Sequence, residues 1–225
     1  AKAALFDRDV MQLRVQLGTD PAAELMQLAS THKVEACALA VVGEMPPGLP
    51  EALRGAVPFV LQVDGQTPTP LVCDYLSPQT LGADRLAAAV GAATLKPGRD
   101  LLVADVGTCI TYDMVTADGT YLGGNISLGP TMRLKALNTF TSKLPLVERK
   151  GETLDLGNST ETAIRSGVTM GIAYEIEGYI RHFAAKHPQL LVYLTGGVHM
   201  DLHFSEKIPI FANDFIVPLG LNRIL

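Results

Sequence analysis

Two aspartates, each set in a short glycine-bearing turn, carry the chemistry open to this chain. Asp105 lies in Leu101-Leu-Val-Ala-Asp105-Val-Gly107-Thr108-Cys-Ile-Thr111, where an apolar run passes through Asp-x-Gly-Thr into a second strand-like run. Such a turn can aim backbone N–H groups, a hydroxyl and a carboxylate at a phosphate and its cation. Asp84 stands twenty-one residues earlier, in Gly82-Ala83-Asp84-Arg85. Together they suggest phosphoryl transfer, with Asp105 on the phosphate side and Asp84 facing the hydroxyl to be phosphorylated. Arg85 beside it offers a planar, charge-assisted fork, and Gly82 and Ala83 are small enough for close backbone approach. Each residue also has a plainer reading. Asp84 would favour the first turn of a helix, Arg85 would be a solvated helical arginine, and Asp105–Thr108 would be a tight hairpin entrance.

These residues need elements to hold them. Leu101–Ala104, Cys109–Val115 and Thr120–Ile126 read as strands, with a turn at Asp118-Gly119. A helix follows Pro130 and ends before Pro145, its apolar face made of Met132, Ala136, Leu137, Phe140 and Leu144. Ile164, Val168, Ile172, Ile176, Ile180 and Phe183 stripe a longer helix, and Asn158 with Glu161 predicts its capping-box start. Leu190–Thr195 is a buried strand closed by Gly196-Gly197. Ahead of all this come strands over Ala3–Phe6 and Met11–Leu17 and a helix launched by Asp20-Pro21. Strand Val34–Val42, short helix Leu49–Arg54, strand Pro58–Val63 and helix Thr80–Thr94 complete that part. The pattern is α/β, with two βββαβα-type halves around a cleft, residues 1–97 and 98–225. The first half starts one strand late, as though a strand and its phosphate turn precede Ala1.

Composition narrows the partners. The 225 residues are 48% hydrophobic with a formal net charge of −5, and the scattered lysines and arginines form no basic stripe for nucleic acid. No long uncharged apolar run or secretory pattern appears, so the expectation is a cytoplasmic protein without a membrane partner. Cys37, Cys73 and Cys109 are widely separated and read as ordinary buried or half-buried thiols. His199 and His203 have the i, i+4 spacing of a helical metal pair, but no carboxylate completes it.

A doubled strand-hairpin-helix plan with acidic glycine turns resembles the actin, hexokinase and Hsp70 ATPase superfamily, a duplicated actin-like ATPase, ribonuclease H-like fold. Within it the chain resembles the type III pantothenate kinases over nearly its whole length. Tyr75-Leu-Ser-Pro78-Gln-Thr-Leu81-Gly82-Ala83-Asp84-Arg85 is similar to that family's Tyr-x-x-Pro-x-x-Leu-Gly-x-Asp-Arg substrate segment. Asp105-Val-Gly107-Thr108 resembles its second phosphate motif, Gly123-Gly124-Asn-Ile-Ser-Leu-Gly129-Pro130 its glycine loop, and Ser159-Thr160-Glu-Thr-Ala163-Ile164-Arg-Ser-Gly167 its dimer-contact helix. Thr195-Gly196-Gly197 resembles the adenosine-side turn.

The resemblance implies ATP-dependent phosphorylation of pantothenate to 4′-phosphopantothenate, the opening step of coenzyme A synthesis, with Mg2+ accompanying ATP. It makes Asp84 the general base and places Tyr75, Gly82, Ala83 and Arg85 around pantothenate. Thr108, Gly107, Gly196 and Gly197 go to ATP, and Asp105 to a monovalent cation, potassium or ammonium. Thr160 reaches pantothenate in the neighbouring subunit of a homodimer. Lys2 matches the last residue of the family's first phosphate motif, Asp-x-Gly-Asn-Thr-x-x-Lys, whose preceding residues are expected upstream in the intact protein. The rival readings are another small-molecule or sugar kinase of the superfamily, and a regulatory protein that keeps the fold without catalysis.

Overall fold

Asp20 accepts a hydrogen bond from Ala23 N at 3.1 Å and Pro21 fills the first turn behind it, so the first helix starts where a cap and a preset φ coincide. The computed structural model describes residues 2–197 and 208–225. Along the chain run β1 (Lys2–Asp7), β2 (Val10–Gln16), α1 (Pro21–His32), β3 (Ala36–Ala40), α2 (Leu49–Ala56), β4 (Phe59–Val63) and β5 (Val72–Cys73). A single 3₁₀ turn at Pro78–Thr80 leads into α3 (Ala83–Leu95). Then come β6 (Leu101–Val106), β7 (Cys109–Val115), β8 (Thr120–Leu128), α4 (Pro130–Thr139), α5 (Thr160–Lys186), β9 (Leu191–Thr195), β10 (Ile210–Ala212) and α6 (Ile216–Ile224).

Two compact units are formed. The first gathers residues 1–97, 119–121 and 215–225. In it β1 pairs antiparallel with β2, β3 pairs parallel with β4, and β5 runs parallel to the first residues of β8, with Cys73 opposite Tyr121. Helix α3 is buried along nearly its whole length, from Ala83 to Ala92. It reads Ala-Ala-Ala-Val-Gly-Ala-Ala because α6 crosses it backbone to backbone. A Cβ on Gly91 would lie 2.1 Å from the Ile216 carbonyl oxygen, and one on Gly220 would lie 1.7 Å from that of Ala87. Larger residues at this crossing would drive the helices apart.

The second unit, residues 98–118 and 122–214, is built on a sheet in which β6 lies between antiparallel β7 and parallel β9, with β8 beyond β7 and β10 beyond β9. Leu102, Ala104 and Val106 of β6 and Ile110, Tyr112 and Met114 of β7 pack with the α5 stripe Ile164, Val168, Ile172, Ile176 and Ile180 in one core. The alternation of β6 turns Asp105 to the other face, opposite Thr111 of β7 and Thr195 of β9.

Some expectations shift. The capping box of α5 is Ser159 with Thr162, one residue later than Asn158 with Glu161. The Ser159 hydroxyl accepts from Thr162 N at 3.2 Å and the Thr162 hydroxyl accepts from Ser159 N at 3.0 Å, while Glu161 pairs instead with Arg165. Helix α4 ends at Thr139. Phe140, expected on its apolar face, is 85% exposed, and Leu134 takes the buried place. Helix α3 begins at Ala83 rather than Thr80, because Pro78–Thr80 makes its own turn. The cysteines are free, but Cys73 is exposed; burial pushes the Cys37 thiol above its ordinary pKa. His199 and His203 lie outside the described residues. Among the described residues no helix is long and apolar enough to cross a membrane.

Candidate active site

The acceptor-side residues belong to the first unit. The segment after β5 is tied to β8 by main-chain hydrogen bonds from Val72 N to Gly119 O and from Asp74 N to Tyr121 O, each 3.0 Å. Tyr75 follows at once, half-buried, its ring tilted against the buried ring of Tyr121 with centroids 6.2 Å apart. Gly82 caps α3, Ala83 is buried, and Asp84 and Arg85 fill the first turn. Arg85 is only 5% exposed and its guanidinium carbon lies 5.6 Å from the centre of the Tyr75 ring. A solvated surface arginine is therefore excluded. Arg85 is a buried cation with an aromatic neighbour.

Asp84 is half-buried, and its Oδ1 accepts from the backbone N of Arg85 at 2.8 Å. One carboxylate oxygen thus satisfies a helix N-terminal donor, which fixes the side chain. A Cβ on Gly82 would sit 2.6 Å from that Oδ1, so the glycine is what lets the carboxylate lie back over the start of its own helix.

The phosphate-side residues belong to the second unit. Asp105 is the last half-buried residue of an otherwise buried strand. The turn after it is closed by Gly107 N donating to Cys109 O at 2.9 Å, which leaves Thr108 exposed. Gly196, at the end of β9, has φ +110°, and a Cβ there would lie 2.2 Å from Val106 O and 2.7 Å from Asp105 Oδ1. A methyl group would fill the space directly against the carboxylate. Gly129 closes the third side. Its N donates to Thr108 O at 3.0 Å, and a Cβ would fall 2.2 Å from Gly107 O and 2.3 Å from Thr108 O. The Gly107 and Gly196 turns therefore flank one carboxylate, and Gly129 packs its main chain on the Gly107-Thr108 turn, with main chain where side chains would otherwise stand. That is a cradle with the donor and acceptor chemistry that a phosphate chain and an oxygen-liganded cation take.

The sequence-predicted residues fall as follows. Tyr75, Gly82, Ala83, Asp84 and Arg85 lie together in the first unit; Asp105, Gly107, Thr108 and Gly196 lie together in the second. Gly197 is exposed with open space where its Cβ would be. Thr160 is the exposed first residue of α5, next to the Ser159 cap. Lys2 opens β1, exposed and opposite Gln16. Sequence reasoning gave no role to Tyr121 and placed Gly129 only in a glycine loop, without its contact to the Thr108 turn. The glycine-proline pair at 129–130 was the available signal for the latter, whereas nothing local marks Tyr121. Among the described residues no three histidine, cysteine, aspartate or glutamate side chains are grouped to hold a metal ion.

Comparison with known proteins bears on this geometry. The family model described as type III pantothenate kinase matches residues 3–182. A type III pantothenate kinase of Phocaeicola vulgatus is 47% identical over 227 residues, spanning 100% of this chain and 93% of the relative. One from Bacteroides fragilis is 46% identical over 225 residues, with the same coverage. Among solved structures, a chain described as a Baf family transcriptional activator from Campylobacter jejuni superposes with a TM-score of 0.52 at 20% identity, covering 84% of this chain and 94% of that one. That likeness is one of fold alone. With the family model matching residues 3–182 and relatives matched over the whole of this chain and 93% of their own length, the chain belongs to the type III pantothenate kinase family and has its duplicated actin-like α/β fold.

Proposed function

We propose that this protein phosphorylates pantothenate with ATP, giving 4′-phosphopantothenate for coenzyme A synthesis, through the residues just described. The observation that carries the assignment of roles is Arg85. It is a buried guanidinium beside the Tyr75 ring at the start of α3, and pantothenate brings a carboxylate suited to its planar fork. Tyr75 packs against the body of the same substrate, and Gly82 and Ala83 admit it to the backbone.

Asp84 then accepts the proton of the attacking primary hydroxyl. Its Oδ1 is held by the Arg85 backbone N–H, leaving the rest of the carboxylate to face the acceptor. ATP with its Mg2+ supplies the transferable phosphoryl group. The chain's own part on that side is positional. Thr108 donates its hydroxyl to a phosphate oxygen, Gly107 and Gly196 keep the flanks of Asp105 clear, and Gly197 leaves open space on the adenosine side. Asp105 supplies an oxygen ligand for a monovalent cation, potassium or ammonium. Catalysis in such a site rests mostly on placement and charge stabilisation, with the base adding roughly 10²–10⁴-fold.

A homodimer through α5 belongs to the same reading. Gly167 and Gly178 are exposed with nothing within 4 Å of a Cβ, and Tyr174 between them is 62% exposed. Small residues beside an exposed ring suit the close approach of a second copy, which would bring Thr160 to the partner's pantothenate. A cytoplasmic setting fits this metabolic role, and of the expected halves 1–97 and 98–225 the second gives up β8's first residues and α6 to the first unit.

The test is Asp84→Asn in the full-length protein. The amide oxygen of asparagine can still accept from Arg85 N, so the helix start survives while the base is lost. Turnover is expected to fall about 10²–10⁴-fold with pantothenate binding nearly unchanged. Unchanged turnover would remove Asp84 from the proton transfer, and phosphorylation of hexoses in preference to pantothenate would overturn the substrate.

A further inference from the structure

Four polar side chains of the second unit meet away from the glycine turns. Tyr112 of β7 donates its hydroxyl to Glu175 Oε1 of α5 at 2.8 Å, and Ser127 of β8 donates to Glu175 Oε2 at 3.3 Å. Arg133 of α4 forms an ion pair with Glu175 and donates from Nη2 to Ser127 Oγ at 3.0 Å. The two charged side chains are only 20% and 23% exposed. The ring of Tyr112 is stacked on Tyr179 of α5 at 3.9 Å between centroids, and burial, then the Glu175 hydrogen bond, raise its pKa so that it stays a neutral donor. Another Arg133 donor, Nε, reaches the main-chain oxygen of Leu128 at 2.8 Å.

Leu128 immediately precedes Gly129, the residue whose main chain lies against Gly107 and Thr108. The guanidinium thus holds the outer side of the β8–α4 corner, and the inner side of that corner is one wall of the phosphate cradle. Arg133 bears on that wall through the carbonyl of Leu128, and with Ser127, itself bonded to Glu175, its fork joins α5 to the corner.

We propose that Arg133 and Glu175 are positioning residues for the phosphate-side turn, setting the β8–α4 corner, and through Gly129 the Gly107-Thr108 turn, in register with α5. This rests on the reading of Thr108 as an ATP contact. A side chain that holds its ligand's contacts in place can govern rate without touching the ligand, because misplacement of about 1 Å costs up to roughly 10²-fold.

The discriminating variant is Arg133→Lys, which keeps the charge for Glu175 but cannot make the forked contact to Leu128 O at the same time. In ligand-free protein, amide hydrogen exchange at Gly129, whose N–H is bonded to Thr108 O, should speed up by about 10-fold or more, with the thermal midpoint within a few degrees of wild type. The dissociation constant for ADP should rise about 10-fold and that for pantothenate should stay within two-fold. Glu175→Gln should show the same split, and the double variant should be no worse than the poorer single one. Unchanged exchange at Gly129 with wild-type ADP binding would overturn the proposal, as would equal losses for ADP and pantothenate together with a large drop in stability, the mark of a merely structural role. Thr108→Ala separates the two levels. If it leaves ADP binding untouched, the reading of the turn fails; if it weakens ADP while Arg133→Lys does not, only the positioning role fails.

Discussion

Gly196→Ala isolates the claim that main chain, not side chain, shapes the phosphate side. At φ +110° an alanine is strained by about 1–3 kcal/mol before any contact is counted. Its methyl carbon would then lie 2.2 Å from the Val106 carbonyl oxygen, a backbone atom that no rotamer change can remove, and 2.7 Å from Asp105 Oδ1, which can rotate away. Relief requires the end of β9 to move by about 1 Å, at an overpacking cost of roughly 1–3 kcal/mol. The sum is about 2–6 kcal/mol, spent in destabilisation, in displacement of Asp105, or in both. Denaturant unfolding and steady-state kinetics with each substrate varied measure the two shares. A fall in kcat/KM for ATP of at least 10²-fold, with pantothenate binding retained, is expected wherever the protein stays folded. Gly197→Ala is the matched control, because its methyl enters open space and should change stability by no more than about 0.5 kcal/mol. Wild-type stability and wild-type kcat/KM for ATP in Gly196→Ala would refute the cradle.

Removing the buried cation, Arg85→Ala, should raise the KM for pantothenate about 10- to 150-fold, the equivalent of roughly 1.5–3 kcal/mol for a hydrogen bond to a charged group; pantothenol, which lacks the carboxylate, should bind wild type and variant alike in parallel assays. Alkaline stability tests the polar network. Tyr112 has its pKa raised above the ordinary value of 10.0, so its contribution is fully present below about pH 10 and is lost as pH rises beyond it. In denaturant titrations above pH 10, wild-type stability should fall more steeply than that of Tyr112→Phe, by about 1.4 kcal/mol per pH unit for the one proton. Parallel slopes would show that the hydroxyl ionises as freely in the folded protein as in the unfolded chain.

The Asp105 strand and its turn were legible because local rules write them. A buried strand alternates faces, so the one carboxylate in Leu-Leu-Val-Ala-Asp-Val must end on a definite face, and Gly-Thr after it marks a turn whatever the rest of the chain does. The stripe of α5 was equally legible, since six apolar residues at helical spacing admit one period. Helix α6 was not. Ile216–Ile224 contains Pro218 and Gly220, both helix-unfavourable taken alone, and the reason for Gly220 is Ala87 of α3, far away in sequence. The cap of α5 was misplaced by one residue because Asn158, Ser159, Glu161 and Thr162 all have capping chemistry, and the choice fell to Arg165, which draws Glu161 away. The join of Arg133 to Glu175 is invisible for the same cause, since their pairing depends on how α4 packs on α5.

The residues that local rules reveal and those they hide differ in what they do. Asp84, Arg85, Asp105 and Thr108 stand out in the sequence because their types lie at fixed offsets from a glycine. Tyr121, Gly129, Arg133 and Glu175 are set by tertiary partners. Tyr121 backs the Tyr75 ring, Gly129 backs the Thr108 turn, and Arg133 with Glu175 backs Gly129. A site in which reactive groups sit on glycine turns has little rigidity of its own, because glycine removes the side-chain packing that would otherwise fix the backbone. The placement must then come from outside the turn, and the half-buried ion pair on the far side of the corner is where this chain supplies it. Substitutions behind the turn should therefore act on the nucleotide, and those behind Tyr75 on pantothenate, even though none of the residues changed touches either substrate.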